Sequence, residues 1–148
     1  METTLTQVVD QALPRLRAIR DDDAAAKPAD GKWSKKEILG HLIDSAANNH
    51  QRFIRLQTAR EVTLPGYDQD EWVKANGYQR ANWSDLITLW ASYNLQLATV
   101  IKGIDPSCAG HIWHHPEADY KLGFLVDDYV VHMRHHLIQI GAASASSF

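Results

Sequence analysis

The segment from residue 34 to about residue 58 constrains the fold more than any other part of the chain. The sequence SKKE at 34–37 fits a capping box, in which a serine and a glutamate side chain satisfy backbone donors at a helix start. Apolar residues then recur at helical spacing, and after Gly40 the segment contains neither proline nor glycine. We therefore predict a long amphipathic helix over 34–58.

Three further stretches have helical periodicity. Residues 4–20 predict a first helix, in which Pro14 introduces a kink or a late start. Ser84 and Asp85 begin a third helix that Gly103 ends, and residues 122–143 predict the last one. Because no useful length of the chain alternates apolar and polar residues, no strand is predicted.

The segments between these helices differ in length. Residues 21–31, rich in Asp, Ala, Pro and Gly, predict a loop. Residues 63–80 and 105–121 predict two long connections, the first with one short helix that opens at Asp68. The fold expected is an all-α four-helix bundle with long crossover connections, and 148 residues suit a single domain over 1–148.

Composition argues against several classes of partner. The net charge is -3, and no basic stripe is present to neutralise a phosphate backbone, so nucleic-acid binding is not expected. No apolar run reaches the length of a membrane span and no leader-type segment is visible, so we expect a cytoplasmic protein without a membrane partner. Cys108, the only cysteine, has no partner for an internal disulfide and no activating sequence neighbour.

The sequence HMRHH at 132–136 carries the strongest chemical signal. On a helix, His132 and His136 are separated by roughly 40° and share a face. A third imidazole from another helix, with His41 as the candidate, would complete a three-nitrogen metal site with an open position, which is a catalytic rather than a structural arrangement. The alternative is that two such histidines occur by chance in a chain that has eight, as hydrogen-bonded core or surface residues.

Two carboxylates are candidate helpers of this site. Asp44 follows His41 by three residues, in a polar strip along a helix otherwise built for burial, and could orient an imidazole. Asp128 precedes His132 by one turn and could accept its free ring N–H, although an exposed position is equally compatible with the sequence. We predict Asp44 and Asp128 as catalytic residues.

The remaining histidines receive no predicted role. His50 lies on the opposite side of its helix from His41, and the loop cluster of His111, His114 and His115 has no cysteine or carboxylate at metal-ligand spacing. His135 falls on the other side of His132 from His136.

Four motifs in order resemble the DinB/YfiT-like superfamily over about residues 5–142. They are GKWS at 31–34, GHLIDS at 40–45, YDQDEW at 67–72 and DDYVVHMRHHLIQI at 127–140. The resemblance implies a four-helix bundle, often a homodimer, with a divalent metal held by His41, His132 and His136. Zinc or nickel is the expected ion. Some relatives transfer low-molecular-weight thiols such as bacillithiol or mycothiol, and others isomerise maleylpyruvate with a thiol cofactor.

Two hypotheses about function follow. In the first, the chain is a divalent-metal-dependent thiol transferase or hydrolase that acts on a small molecule, with a low-molecular-weight thiol as a candidate cofactor. In the second, it is a non-catalytic metal-binding helical module that dimerises. The second hypothesis rests on the lack of any clear general acid, nucleophile or substrate motif.

Overall fold

Four long helices build the fold in a computed structural model that describes residues 4–145. These helices are α1 (Leu5–Ala18), α3 (Lys35–Thr58), α5 (Trp83–Lys102) and α6 (Leu122–Ile140), and two shorter ones are α2 (Asp21–Ala25) and α4 (Gln69–Asn76). Helix α3 packs against both α5 and α6, and α1 packs mainly against α5. The predicted helical bundle is confirmed.

Helix α3 begins where the sequence predicts it. The Ser34 hydroxyl accepts a hydrogen bond from the Glu37 backbone N–H at 3.2 Å, and the Glu37 carboxylate accepts one from the Ser34 backbone N–H at 3.1 Å. This reciprocal capping box fixes the first turn of the helix. The position of every later residue on α3 follows from that start.

A single apolar cluster fills the space between the long helices. Its largest fully buried side chains include Trp90, Phe53, Leu39, Leu97 and Leu137. Burial of one such leucine or phenylalanine contributes roughly 1.5–3 kcal/mol, so the bundle is held chiefly by this cluster. Within residues 4–145, no helix combines the length and the apolar character needed to cross a bilayer.

Two local expectations in the N-terminal region are wrong. Residues 21–25, predicted as part of a loop, form α2. Asp21 anchors this helix because its carboxylate accepts from the Trp83 backbone N–H at 3.0 Å and from the Lys36 ammonium at 3.0 Å. The late start that Pro14 suggested is also wrong: α1 begins at Leu5 and runs through Pro14, because the buried face of the helix outweighs the one backbone hydrogen bond that proline removes. The kink at Pro14 stays a prediction.

The two long connections form a small sheet, which the sequence does not predict. It consists of β1 (Glu61–Thr63), β2 (Ile112–His114) and β3 (Asp119–Lys121). Strand β1 pairs in parallel with β2, and β2 pairs antiparallel with β3. The expectation of no strand fails because three-residue strands are too short to show alternation, and because β1 and β2 are distant in sequence.

Candidate metal centre

Helix α6 presents two histidines to the interior of the bundle. His132 and His136 are one helical turn apart, and their ring centroids are 4.6 Å apart. Their neighbours along the face, Met133 and Leu137, are buried in the apolar cluster. The packing of α6 against α3 therefore directs both imidazoles towards α3.

Helix α3 brings His41 to the same place. His41 is 1% exposed, and its ring centroid lies 5.0 Å from that of His132 and 4.9 Å from that of His136. The Nε2 atoms of His41 and His132 are 3.1 Å apart, and one ligand nitrogen from each of the three residues lies within 4.8 Å of the other two. The structure thus brings together the three histidines that the sequence singles out.

This spacing fits a divalent metal ion. Two imidazole nitrogens that each lie about 2.0–2.1 Å from one ion are separated by roughly 3–3.4 Å, which matches the contact between His41 and His132. Within residues 4–145, these three form the only group of histidine, cysteine or acidic side chains with metal-ligand spacing. Three imidazoles leave a coordination position open, as in catalytic zinc sites.

The environment keeps the three imidazoles neutral. Burial, with a smaller contribution from His132 and His136, lowers the pKa of His41 to about 3. Burial and the nearby His136 and His135 lower the pKa of His132 to about 4, and burial is the main cause of the lowered pKa of His136. A metal ligand must offer a free lone pair, and these histidines offer one at neutral pH without releasing a proton.

Neighbouring side chains orient the rings. The Nδ1–H of His136 donates to the Gln139 side-chain oxygen at 2.9 Å, which leaves the Nε2 lone pair for the cluster. The ring of His41 packs against Trp33 at a centroid distance of 5.0 Å. The Nδ1 atom of His41 is buried and bonds to no group within residues 4–145. This atom is a polar group for which the described part of the chain supplies no partner.

Asp44 lies one turn after His41 but bonds elsewhere. Its Oδ1 atom accepts from the Tyr78 hydroxyl at 2.7 Å and from the Asn76 amide at 3.0 Å, and among the described residues nothing bonds its buried Oδ2. Burial raises the pKa of Asp44, and these two hydrogen bonds oppose the rise. The carboxylate thus ties α3 to α4 and to the 3-10 turn after it.

Gly40 makes that junction possible. A Cβ atom at Gly40 would lie 2.1 Å from Cδ2 of the Tyr78 ring, so only glycine allows the ring to lie flat against α3. Tyr78 can then reach Asp44 with its hydroxyl.

Asp128 is exposed on α6. Across residues 4–145, no hydrogen bond joins its carboxylate to His132, and it borders a crevice beside that histidine. The catalytic roles of Asp44 and Asp128 stay predictions.

The other histidines lie outside the cluster, and all but His135 have partners that are not part of it. His50 bonds the Tyr93 hydroxyl at 2.9 Å, and His111 donates to the Leu56 carbonyl at 2.6 Å. His114 pairs with Asp119 and Glu61 across the small sheet. His115 packs its ring against Trp113, and the exposed His135 ring contacts His136.

A crevice of about 390 Å³ opens beside the histidine cluster. Its lining includes His132 of α6 and residues from α3 and from both long connections: Arg52, Asn49, Tyr67, Trp113 and His115. A second depression, of about 850 Å³, is lined by Trp33 and Gln139, which contact His41 and His136. A third, of about 810 Å³, contains none of the three histidines.

Sequence reasoning missed Arg52 and Gln139 as parts of this region, although signals for both exist. Arg52 follows His41 by eleven residues, and on a helix this spacing places the two side chains within roughly 20° of the same direction. Arg52 therefore continues the polar strip of α3. Gln139 follows His136 by three residues, within side-chain reach on a helix. The crevice residues of the long connections offer no such signal, because no helical period places them.

Comparison with known proteins identifies the family. The sequence model of the DinB superfamily matches residues 4–140. The chain belongs to the DinB superfamily. The resemblance that four short motifs indicated is thereby confirmed.

Relatives within the DinB superfamily have names that refer to a metal. A "putative metal-dependent hydrolase" of Bacillus mycoides is 25% identical over 128 residues, which cover 84% of this chain and 73% of the relative. A protein of the same name from Bacillus cereus is 22% identical over 144 residues, 95% of this chain and 83% of the relative. These names and the three-histidine cluster together support a divalent metal ion at this site.

Solved structures of similar shape establish the fold. YfiT from Bacillus subtilis, described as a probable metal-dependent hydrolase with an unusual four-helix bundle topology, superposes with a TM-score of 0.80 at 21% identity. That match covers 93% of this chain and 82% of the other. A mycothiol-dependent maleylpyruvate isomerase gives a TM-score of 0.75 at 12% identity, and covers 94% of this chain and 59% of the other. At these identities the likeness extends to the fold alone.

Proposed function

We propose that this chain is a divalent-metal-dependent enzyme that activates a water or a thiol for attack on a small molecule. The observation that carries the proposal is the convergence of His41, His132 and His136 beside an open crevice. A structural metal would have a closed set of four protein ligands, whereas three imidazoles leave one position for a reactant. The names of the DinB relatives favour hydrolysis. Thiol transfer is the corresponding reaction when the activated nucleophile is a thiol instead of water.

The chain's own residues perform four tasks in this proposal. The three imidazoles would hold the ion, which would supply Lewis-acid chemistry to a water or a thiol. Gln139 fixes the tautomer of His136, and Trp33 packs against His41 to limit its ring motion. The crevice beside His132 receives the small molecule. Asp128, at the edge of that crevice, is the proposed acceptor for a proton released by the reaction.

The first experiment measures metal content on untagged protein by elemental analysis after reconstitution with zinc or nickel. We expect about one ion per chain in the wild type and its loss in His41→Ala and in His132→Ala/His136→Ala, with helical content by circular dichroism retained. His135→Ala is the matched control, because His135 is exposed on the same helix and should leave the metal in place. Absence of stoichiometric metal in the wild type would refute the proposal.

A second experiment separates the two reactions. The metal-loaded protein is assayed for hydrolysis of an activated ester, and separately for transfer of a low-molecular-weight thiol to an aryl halide, in which a C–S bond forms and halide leaves. Turnover that chelation abolishes and added metal restores is expected in one of the two assays. Stoichiometric metal without turnover in either would instead favour a non-catalytic metal-binding module.

A further inference from the structure

Arg52 is an unusual residue in this crevice, because it is a charged side chain that is only 8% exposed. Its guanidinium carbon lies 3.7 Å from the centre of the Trp113 ring, and one N–H group donates to the Asn49 side-chain oxygen at 3.3 Å. No carboxylate within residues 4–145 forms an ion pair with it. A buried guanidinium is costly unless an anion or several acceptors compensate its lost hydration.

The contacts of Arg52 leave most of its hydrogen-bonding capacity for a ligand. A guanidinium has five N–H donors, and within the described chain only the Asn49 amide oxygen accepts from it. Trp113 covers one face of the plane, which holds the fork in a fixed orientation at the crevice wall. Arg52 is thus fixed in place before any ligand arrives.

A tyrosine hydroxyl adds a second donor near the guanidinium. Tyr67 lines the same crevice, and its ring lies close enough to Arg52 for the positive charge to affect its pKa. Burial raises the pKa of Tyr67 and the charge of Arg52 only partly offsets that rise, so the hydroxyl stays protonated at neutral pH. The guanidinium and this hydroxyl, which line the same crevice, are two donors for a planar, singly charged oxyanion.

The other charged and titratable groups of the crevice define the charge of the ligand. They are His115, His132, Tyr120 and Tyr129, and the exposed Asp128. Apart from the ion that His132 would help to hold, the crevice wall carries one permanent positive charge and one nearby carboxylate, so the wall itself suits a monoanion better than a doubly charged phosphate. The aromatic rings of Trp113, Tyr120 and Phe124, also in the wall, suit an apolar body attached to that anion.

We infer that Arg52, with Tyr67, binds the carboxylate of an aromatic or otherwise apolar carboxylic acid whose remaining part lies against His132. This inference rests on the proposed function, because it names the substrate class of the same site. It gives Arg52 a specificity role: the guanidinium selects carboxylates and holds them next to the metal centre. A purely structural role, in which Arg52 only covers Trp113, predicts no anion binding.

The test uses benzoate as the probe, with titration calorimetry or ligand-detected NMR on the zinc-loaded protein. We expect benzoate to bind the wild type and to bind Arg52→Gln roughly 10- to 100-fold more weakly, the range for loss of charge-assisted hydrogen bonds. Arg52→Lys should fall between the two, because it keeps the charge but loses the planar fork. The matched control is Arg55→Gln, since Arg55 is exposed on the same helix and should leave benzoate binding unchanged.

Two further probes report on the wild type alone, so the test survives if an Arg52 variant fails to fold. Benzamide, which has the shape of benzoate without its charge, should bind at least tenfold more weakly. Phenylphosphonate should not bind the metal-free wild type more tightly than benzoate, because the crevice wall alone suits a single negative charge. Equal affinity for benzoate and benzamide, tighter binding of phenylphosphonate to the metal-free protein, or no binding of benzoate would each overturn the inference.

The metal site is separated from the anion site by repeating the titration on His41→Ala. His41 is not part of the crevice wall, so benzoate should still bind this variant even though the metal is lost. Benzoate binding that persists in Arg52→Gln and disappears in His41→Ala would show that the carboxylate binds the ion instead, and would overturn the role of Arg52. If the chain proves to hold no metal, the proposed function fails. Benzoate binding can still be measured in that case, and it tests the role of Arg52 separately.

Discussion

Replacement of Gly40 by alanine tests the junction that holds the first half of α3 against the connection after α4. The new Cβ atom would lie 2.1, 2.2 and 2.7 Å from three carbons of the Tyr78 ring, far inside contact distance. The ring must therefore move, and its hydroxyl then loses the 2.7 Å hydrogen bond to the buried carboxylate of Asp44.

The size of the effect follows from three contributions. Overpacking costs about 1–3 kcal/mol. Loss of a hydrogen bond to a charged group costs about 1.5–3 kcal/mol. Alanine gains about 1 kcal/mol over glycine from helix propensity. We therefore expect Gly40→Ala to lower the free energy of unfolding by roughly 1.5–5 kcal/mol.

The assay is urea unfolding followed by circular dichroism at 222 nm, a wavelength at which helices give a strong negative signal. Gly123→Ala is the control, because its Cβ atom would meet only Ala109 at 3.5 and 3.6 Å, an ordinary contact. The decisive measurement repeats Gly40→Ala in a Tyr78→Ala background, where no ring remains to clash. The reasoning is refuted if Gly40→Ala costs the same with and without the ring.

Three further predictions address stability. Pro14→Ala should raise the free energy of unfolding by about 1–2 kcal/mol in urea titrations, because Pro14 is exposed inside α1 and alanine restores the missing backbone hydrogen bond. A loss of stability would contradict that. Asp119 and Glu61 raise the pKa of His114, so the protonated imidazole stabilises the fold. The stability lost in His114→Asn should therefore be greatest below about pH 6 and should shrink as pH rises through the raised pKa. A difference in melting temperature that does not depend on pH would count against these ion pairs. Zinc should raise the melting temperature of the wild type with increasing concentration, and an excess of chelator should reverse the rise; an unchanged temperature would argue against a metal site in the folded chain.

The parts of the molecule that the sequence predicts are those governed by local rules. The capping box at Ser34 fixes the phase of α3, and that phase places His41 on the inner face. The one-turn spacing of His132 and His136 directs both to one spot on α6. Helical periodicity and capping depend on residues three or four positions apart, so a single sequence contains enough information to predict them.

The parts that the sequence does not predict depend on pairings between distant segments. Strand β1 becomes a strand only because β2, about fifty residues later, supplies its hydrogen bonds. Trp113 and Tyr67 enter one crevice for the same reason, although neither shows a local pattern that places it there. Helix α2 depends on the long-range bonds of Asp21 to Trp83 and Lys36.

The histidine cluster and the crevice wall lie on different parts of the chain, so their sequences can diverge independently. The three histidines lie on α3 and α6, whose positions are set by the apolar cluster of the bundle. Trp113 and Tyr120, which shape the crevice, lie on β2 and β3, outside the long helices. Substitutions in the connections can therefore change which molecules enter while the histidines keep their spacing. Under the proposed function, one bundle would keep its metal site while changes in the connections alter the substrate.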